Sequence, residues 1–241
     1  MKNVIKQLLR QTFILLRMPV TKNIQYDICT EKILKRVLKH DSNCIDVGAH
    51  KGEILDLFLR FAPKGKHTAF EPIPHFFEQL NEKYNSVANV LPYALAAENG
   101  KTEFNVVVDD LAYSGLKQRQ YKSTNTTIEK IEVEVRTLDS LLMNDARKID
   151  LIKIDVEGGE YGVLQGATEL LIRAHPLLIF EFGKGASEYY GTTPAMIFEF
   201  LQQHEYNLHT LPAFLKNGTE LTLEMLVHVY EGGEEYYFVA T

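Results

Sequence analysis

Cysteine is scarce in this sequence, and long hydrophobic runs are absent. Its 241 residues contain two cysteines, Cys29 and Cys44. Two cysteines make neither a disulfide framework nor a metal-binding knuckle, and Cys44 lies within an apolar run typical of a strand. No segment approaches the roughly 18 consecutive apolar residues that a transmembrane helix requires. We therefore expect a cytoplasmic protein in a reducing compartment, and we predict no metal site.

An excess of positive charge is also missing. Lys and Arg number 26 against 32 Asp and Glu, which leaves a formal net charge of −6. This balance disfavours non-specific attraction to nucleic-acid phosphates, so no nucleic-acid partner is expected. Hydrophobic residues make up 45% of the chain, which is ample for one core at this length. The composition predicts one domain with an appendage.

The N-terminus has a pattern of its own, with no acidic residue before Asp27. Its basic residues alternate with apolar ones: Lys2, Lys6, Arg10 and Arg17. This pattern is typical of a basic amphipathic helix. Arg17 interrupts the apolar stretch and no small-residue cleavage site follows, so we do not expect an exported leader. We favour a helix that packs on the domain or on a second subunit; the alternative is peripheral contact with the inner face of a membrane.

Apolar runs and helical patterns alternate along the rest of the chain. Residues 1–40 read as a helical extension, with Thr30 as a candidate N-cap for a helix over residues 31–39. Strands are predicted over residues 44–47, 67–70, 90–95, 102–108, 131–135, 151–156, 177–182, 206–211, 222–229 and 236–240. Helices are predicted over residues 53–61, 75–84, 161–172 and 195–203. The alternation predicts a doubly wound α/β domain with a mostly parallel sheet over residues 41–241.

The sharpest local signal is the run from Cys44 to Gly52, an apolar strand that enters a Gly-x-x-x-Gly turn before a helix. Glycines there allow a left-handed backbone and close approach of a ligand to the main chain. A dinucleotide motif would need glycine at positions 50 and 53, which are His50 and Glu53. Asp46, placed before this turn, suits a ligand that carries an ammonium or sulfonium group. The turn therefore favours an amino-acid-bearing cofactor over a nicotinamide.

Two further strands are predicted to end in carboxylates on the same rim of the sheet. Glu71 follows the second strand, at the spacing from which an acid reaches the ribose hydroxyls of adenosine cofactors. The segment from Lys153 to Glu160 contains Asp155 and Glu157 at a strand end, where one of them would act as general base or substrate clamp. We expect Glu160 to complement the dipole of the helix that follows.

These motifs together resemble those of the FkbM family of methyltransferases. They are Asp46-Val-Gly-Ala-His-Lys-Gly52, Phe70-Glu71-Pro72, Arg136-Thr-Leu-Asp139, Lys153-Ile-Asp-Val-Glu-Gly-Gly-Glu160 with Gly166-Ala167, and Phe180-Glu181. The resemblance covers roughly residues 43–211, and Lys-Ile-Asp-Val-Glu-Gly is its most specific element. The chain departs from the family pattern at Gly159, where alanine is expected more often, and the resemblance does not reach the basic N-terminal helix.

The resemblance implies a class I methyltransferase fold, which is Rossmann-like with a seven-stranded sheet, and S-adenosylmethionine as methyl donor. By position it assigns the turn residues to the methionine part of the donor, Glu71 with Pro72 to the ribose, and the strand end at residues 92–94 to the adenine. The cofactor residues that it implies are Asp46, Gly48, Ala49, Gly52, Glu71, Pro72, Tyr93 and Ala94.

The expected activity is O-methylation of a sugar or natural-product hydroxyl by in-line methyl transfer. The candidate bases are Asp155, then Glu157 and His50. A nicotinamide-dependent oxidoreductase is disfavoured by the missing glycines. A non-catalytic interaction protein that retains the fold is the other alternative, and the joint presence of Glu71 and Asp155 argues against it. The sequence does not choose among sugars, lipid-linked glycans, polyketides and small acids as the acceptor, nor does it give an oligomeric state.

Overall fold

A computed structural model describes residues 20–109, 111–120 and 126–241 of the chain. The predicted basic helix in the first 19 residues lies outside these ranges. Helix α1, Lys22–Val37, is the first described element, and Thr21 caps it by accepting a hydrogen bond from the Ile24 amide at 3.3 Å. The predicted cap Thr30 is wrong, because this residue is buried in the middle of the helix. The apolar face of α1 begins at Ile24, well before residue 31.

Within the described ranges, ten strands form two sheets. In chain order they are β1 Cys44–Val47, β2 His67–Phe70, β3 Ala88–Leu91, β4 Tyr93–Leu95, β5 Gly100–Val107, β6 Ile128–Arg136, β7 Leu151–Ile154, β8 Leu177–Glu181, β9 Leu208–Thr210 and β10 Tyr237–Ala240. The main sheet has seven strands in the order β3-β2-β1-β7-β8-β10-β9. All run parallel except β10, which is antiparallel to both neighbours. The predicted doubly wound, mostly parallel seven-stranded sheet is confirmed.

Helices cover both faces of this sheet. After α1 they are α2 Glu53–Phe61, α3 Pro74–Tyr84, α4 Leu138–Leu142, α5 Glu160–Gln165, α6 Thr168–Ala174, α7 Pro194–Gln203, α8 Leu211–Leu215 and α9 Leu223–Gly232. Alternate residues of one strand enter opposite cores: Ile152 and Ile154 pack in one apolar cluster, and Leu151 in the other. This period of two is what a strand buried on both faces requires.

The predicted strand over residues 90–95 is wrong as one element. Pro92 divides it, because proline has no N–H to donate to a strand ladder. The first part is β3 at the edge of the main sheet. The second part, β4, pairs with β6 in a separate three-stranded sheet of order β4-β6-β5.

Two other elements also differ from the sequence-based expectation. The single helix predicted over residues 161–172 is broken between α5 and α6 at Gly166, where an added Cβ would lie 2.2 Å from the Ala96 carbonyl oxygen. The strand predicted over residues 222–229 is helix α9, capped by Thr222 and buried through Leu226 and Tyr230. Those two residues are four apart, so they share one face of a helix.

Candidate active site

The turn after β1 holds the backbone close to two neighbouring strands. The amides of Gly48 and Ala49 both donate to the Phe70 carbonyl oxygen at 3.0 Å. Gly48 has φ +82°, and an added Cβ would lie 1.9 Å from the Asp155 carbonyl oxygen. Only glycine fits there. The turn and the segment after β7, which are far apart in sequence, are therefore in direct contact.

The end of the same turn is fixed by a tyrosine from α3. Gly52 has φ +79°, and an added Cβ would lie 2.5 Å from the Tyr84 hydroxyl oxygen. That oxygen is 3.0 Å from the Gly52 carbonyl oxygen and 2.7 Å from Asp56 Oδ1. Helix α2 thus begins after a glycine that Tyr84 holds in place, and the first N–H groups of the helix point towards the turn.

Asp46 is the least satisfied charged group near the turn. It is 1% exposed, and neither carboxylate oxygen has a hydrogen-bond partner among the described residues. Burial raises its pKa to about 7, against the attraction of Lys153 and with the repulsion of Asp155. A buried carboxylate without partners is costly unless a ligand compensates it. The position fits a ligand that carries positive charge.

Glu71, in contrast, is held by two backbone amides. Its Oε2 accepts from the His50 N–H at 2.7 Å, and its Oε1 accepts from the Ile73 N–H at 2.9 Å. Burial raises its pKa to about 7, although both hydrogen bonds oppose that change. Each oxygen keeps a lone pair for a further donor, so the carboxylate can receive two hydroxyl groups of a ligand. Pro72 lies between Glu71 and Ile73 and, as a proline, has no N–H to donate to the carboxylate.

The remaining cofactor candidates lie on β4. The Arg136 guanidinium carbon stands 5.6 Å from the centre of the Tyr93 ring. Ala94 is buried in a cluster with Ile73 and Phe76, which joins β4 to the segment that follows Glu71. Their contact with an adenine stays a prediction.

Three carboxylates meet where β7 and β8 end. One oxygen of each of Asp155, Glu157 and Glu181 lies within 4.8 Å of the others. Asp155 Oδ2 accepts from Lys153 Nζ at 2.7 Å and from the Tyr237 hydroxyl. Burial alone would raise the pKa of Asp155, but Lys153 and the hydrogen bonds to the carboxylate outweigh it and hold the pKa below its usual value. Asp155 is therefore ionised.

Glu157 has the opposite electrostatic balance. Burial and the negative charge of Asp155 raise its pKa, even though Arg119 Nη2 lies 2.5 Å from its Oε2. Burial and the same neighbours also raise the pKa of Glu181. Adjacent carboxyl groups whose pKa values move in opposite directions are typical of sites that transfer protons.

Glu160 fixes the backbone of the loop that carries Glu157. The Glu160 Oε1 atom accepts from the amides of Val156 at 3.0 Å and Gly158 at 3.1 Å, within a fully buried environment. Glu160 also lies in the first turn of α5, where its expected effect on the dipole applies. At Gly159, an added Cβ would lie 3.3 Å from the Tyr190 ring.

His50 contributes its backbone amide to the site, and its side chain points towards α3. Its ring lies edge-on against Phe76, with the ring centres 4.5 Å apart. Its φ of 49° belongs to the left-handed region, which the tight turn requires. A base role for the imidazole stays a prediction.

Three contributors to the site were missed from the sequence. Arg119 lies in a polar loop with no pattern to mark it, and Tyr237 begins a strand that reads as ordinary core. Lys153 did carry a signal, because a lysine inside the apolar run of β7 needs a buried acidic partner. No helix in the described ranges is both long and apolar enough to cross a membrane.

The fold and the site together define a class I methyltransferase-type α/β domain. Residues 46–208 match the family described as the methyltransferase FkbM domain, which is more than half of the sequence, so the chain belongs to this family. It is 26% identical over 155 residues to 2-O-methyltransferase NoeI of Sinorhizobium fredii, over 59% of this chain and 64% of NoeI.

A solved structure agrees on the fold. The crystal structure of methyltransferase FkbM from Methylobacillus flagellatus KT aligns with a TM-score of 0.50 and 13% identity, over 100% of this chain and 60% of that chain. This chain therefore spans less than two thirds of the length of either relative.

Proposed function

We propose that the protein is an S-adenosylmethionine-dependent methyltransferase that methylates a hydroxyl group of a sugar or natural product. The observation that carries this proposal is the buried, unpartnered Asp46 beside the Gly48 turn. A cationic ligand stabilises the ionised form of such a carboxylate. The name of NoeI, a 2-O-methyltransferase, supports oxygen as the methylated atom.

The donor residues divide into two groups. Asp46, Gly48, Ala49 and Gly52 would hold the methionine part, because they border the turn after β1 and Asp46 supplies negative charge that no described residue compensates with a hydrogen bond. Glu71 would accept from the ribose hydroxyls, with its orientation fixed by the two amides described above. Tyr93 and Ala94 would border the adenine. When bound, S-adenosylmethionine supplies the methyl group.

On the acceptor side, the chain orients a hydroxyl, and Asp155 receives its proton as the hydroxyl oxygen bonds to the methyl group. Asp155, ionised by Lys153 and Tyr237, accepts a hydrogen bond from the acceptor hydroxyl and fixes its direction. Glu157 has the raised pKa that suits it to keep a proton near neutral pH. Most of the acceleration comes from holding the two reactants in line, and a base adds about 100-fold to 10,000-fold.

Calorimetric titration of the purified protein with S-adenosylmethionine tests the proposal. We expect micromolar or tighter binding to the wild type, no binding of NAD, and at least about tenfold weaker binding in Glu71→Ala, where a buried charged hydrogen-bond acceptor is lost. Glu132→Ala is the matched control, because that carboxylate is exposed and, in the described part of the chain, forms a surface ion pair with Lys101. Absence of binding to the wild type would contradict the proposal and leave the interaction-protein alternative ahead.

A further inference from the structure

The antiparallel strand β10 brings the start of a strand to the rim where the parallel strands end. Tyr237 is the first residue of β10 and lies opposite Glu181, the last residue of β8. Glu235 and Tyr236 precede it at the same rim. A parallel strand in this position would have placed its last residues there instead.

Tyr237 contacts the carboxylate cluster directly. Its hydroxyl donates to Asp155 Oδ2, the same oxygen that accepts from Lys153 Nζ. The Lys153 ammonium also lies 5.5 Å from the centre of the Tyr237 ring. The phenol therefore orients both members of the buried ion pair.

Helix α1 holds this tyrosine from the other side. The ring of Tyr26 lies with its centre 5.1 Å from that of Tyr237 and 4.7 Å from that of Tyr236. Tyr26 is itself fully buried and well anchored. Its hydroxyl donates to Glu235 Oε2 at 2.7 Å and accepts from the Tyr236 N–H at 3.1 Å.

More contacts join the start of α1 to the same segment. Lys22 Nζ forms an ion pair with Glu235 Oε1 at 2.7 Å, and the Tyr236 hydroxyl donates a hydrogen bond to Asn23 Oδ1. Glu235 is thus bound by two residues of one helix turn. Three successive residues of the β10 start are fixed by α1.

We propose that Tyr237 is a positioning residue for Asp155, and that helix α1 in turn positions Tyr237 through Tyr26. Helix α1 is then a structural part of the acceptor side of the site, although it lies outside the matched family domain. The proposal rests on the proposed function only for the role of Asp155 in binding the acceptor.

The groups around Asp155 come from several elements. Lys153 lies on the same strand, and Tyr237 approaches from β10. The acidic neighbours are Asp46 on β1, Glu157 on the following loop and Glu181 on β8. Lys153 and Tyr237 donate to Asp155 Oδ2, and Glu181 also hydrogen-bonds to the Asp155 side chain, so loss of Tyr237 removes one of the groups that orient this carboxylate.

The test is carbon-13 NMR of the full chain labelled at aspartate carboxyl carbons, recorded at pH 7 without any ligand. The Asp155 signal is assigned by its loss in Asp155→Asn. We expect Tyr237→Phe to move this signal, and Tyr26→Leu to move it in the same direction by a smaller amount. Tyr206→Phe is the control, because this buried hydroxyl donates to the Pro176 carbonyl oxygen and has no contact with Asp155 among the described residues, so the signal should stay in place.

Tyr26→Phe covers the case in which Tyr26→Leu fails to fold. It keeps the ring and removes the acceptor of the Tyr236 N–H, so we expect faster hydrogen exchange at Tyr236 together with a partial shift of the Asp155 signal. An Asp155 signal that stays at the wild-type position in every folded Tyr26 variant overturns the role of α1. An unchanged signal in Tyr237→Phe overturns the whole proposal. Neither result depends on S-adenosylmethionine binding, which is measured separately.

Discussion

Asp46 and Glu71 are two buried acids that face the same proposed ligand but are supported differently. Glu71 has two backbone donors, whereas Asp46 has none among the described residues. Burial raises the pKa of both to about 7. Both groups are thus partly protonated at neutral pH before a ligand binds. Because Asp46 lacks these donors, its ionised form depends more on the cofactor than that of Glu71.

We expect the affinity for S-adenosylmethionine to increase as the pH rises from 6 to 8. The sign follows because a cationic ligand favours the ionised carboxylate, so binding lowers a pKa that burial had raised and releases a proton. The affinity is then complete at pH values well above 7 and decreases as the pH falls through the unliganded pKa of about 7. Calorimetry in buffers of different ionisation enthalpy measures the released protons.

Asp46→Asn supplies the control for this pH dependence. The variant cannot ionise at position 46, so its binding should be weaker and should release fewer protons than the wild type. A wild-type affinity that is constant from pH 6 to 8 would show that neither acid changes its protonation on binding.

At the scale of elements, glycines decide where helices end. Gly162 lies within α5, where an added Cβ would have only ordinary contacts at 3.6 Å or more, whereas Gly166 at its end faces the Ala96 carbonyl oxygen. A residue with a Cβ would favour a continuous helix through this point, but the close approach of the segment after β4 prevents it. This packing is the reason that the predicted single helix is two.

The two glycines should therefore respond in opposite ways to alanine. Gly162→Ala should leave the free energy of unfolding unchanged or raise it by about 0.5–1 kcal/mol, because alanine is the better helix former. Gly166→Ala should lower it by about 1–3 kcal/mol, because the new methyl group overlaps a carbonyl oxygen. Urea unfolding of both variants measures the difference, and equal effects would argue against a tight contact at Gly166.

The sequence was sufficient for the elements that a local pattern marks. It failed for elements and residues whose place is set by packing against distant parts of the chain. β1, β2 and α2 have the predicted bounds because a short apolar run and a helical period mark them. Helix α9 was mistaken for a strand because Leu223, Met225, Val227 and Val229 alternate in the sequence. Within the candidate site, the positions of Asp46, near the end of β1, and Glu71, directly after β2, could be predicted from the ends of parallel strands. Arg119 and Tyr237 could not, because a loop packing and an antiparallel strand bring them in.

At the scale of the whole molecule, cofactor binding should raise the free energy of unfolding. A ligand that binds only the folded state at about 100 times its Kd adds about 2.7 kcal/mol, which for a chain of this size raises the Tm by about 5–10 °C. Thermal unfolding with S-adenosylmethionine measures this shift, with NAD at the same concentration as the control. A shift of the same size in Asp46→Asn would show that the ligand binds elsewhere.

Strand β9 precedes β10 in the chain, yet within the described residues it joins the main sheet only through β10. Any fluctuation that releases β10 from β8 therefore frees β9 as well, and the two strands form one cooperative opening unit. The same fluctuation withdraws the Tyr237 hydroxyl from Asp155. Amide protons of Phe180 and Phe238, on the two strands that separate, should thus show the same free energy of opening in hydrogen exchange, and that free energy would measure how readily the acceptor side of the site comes apart.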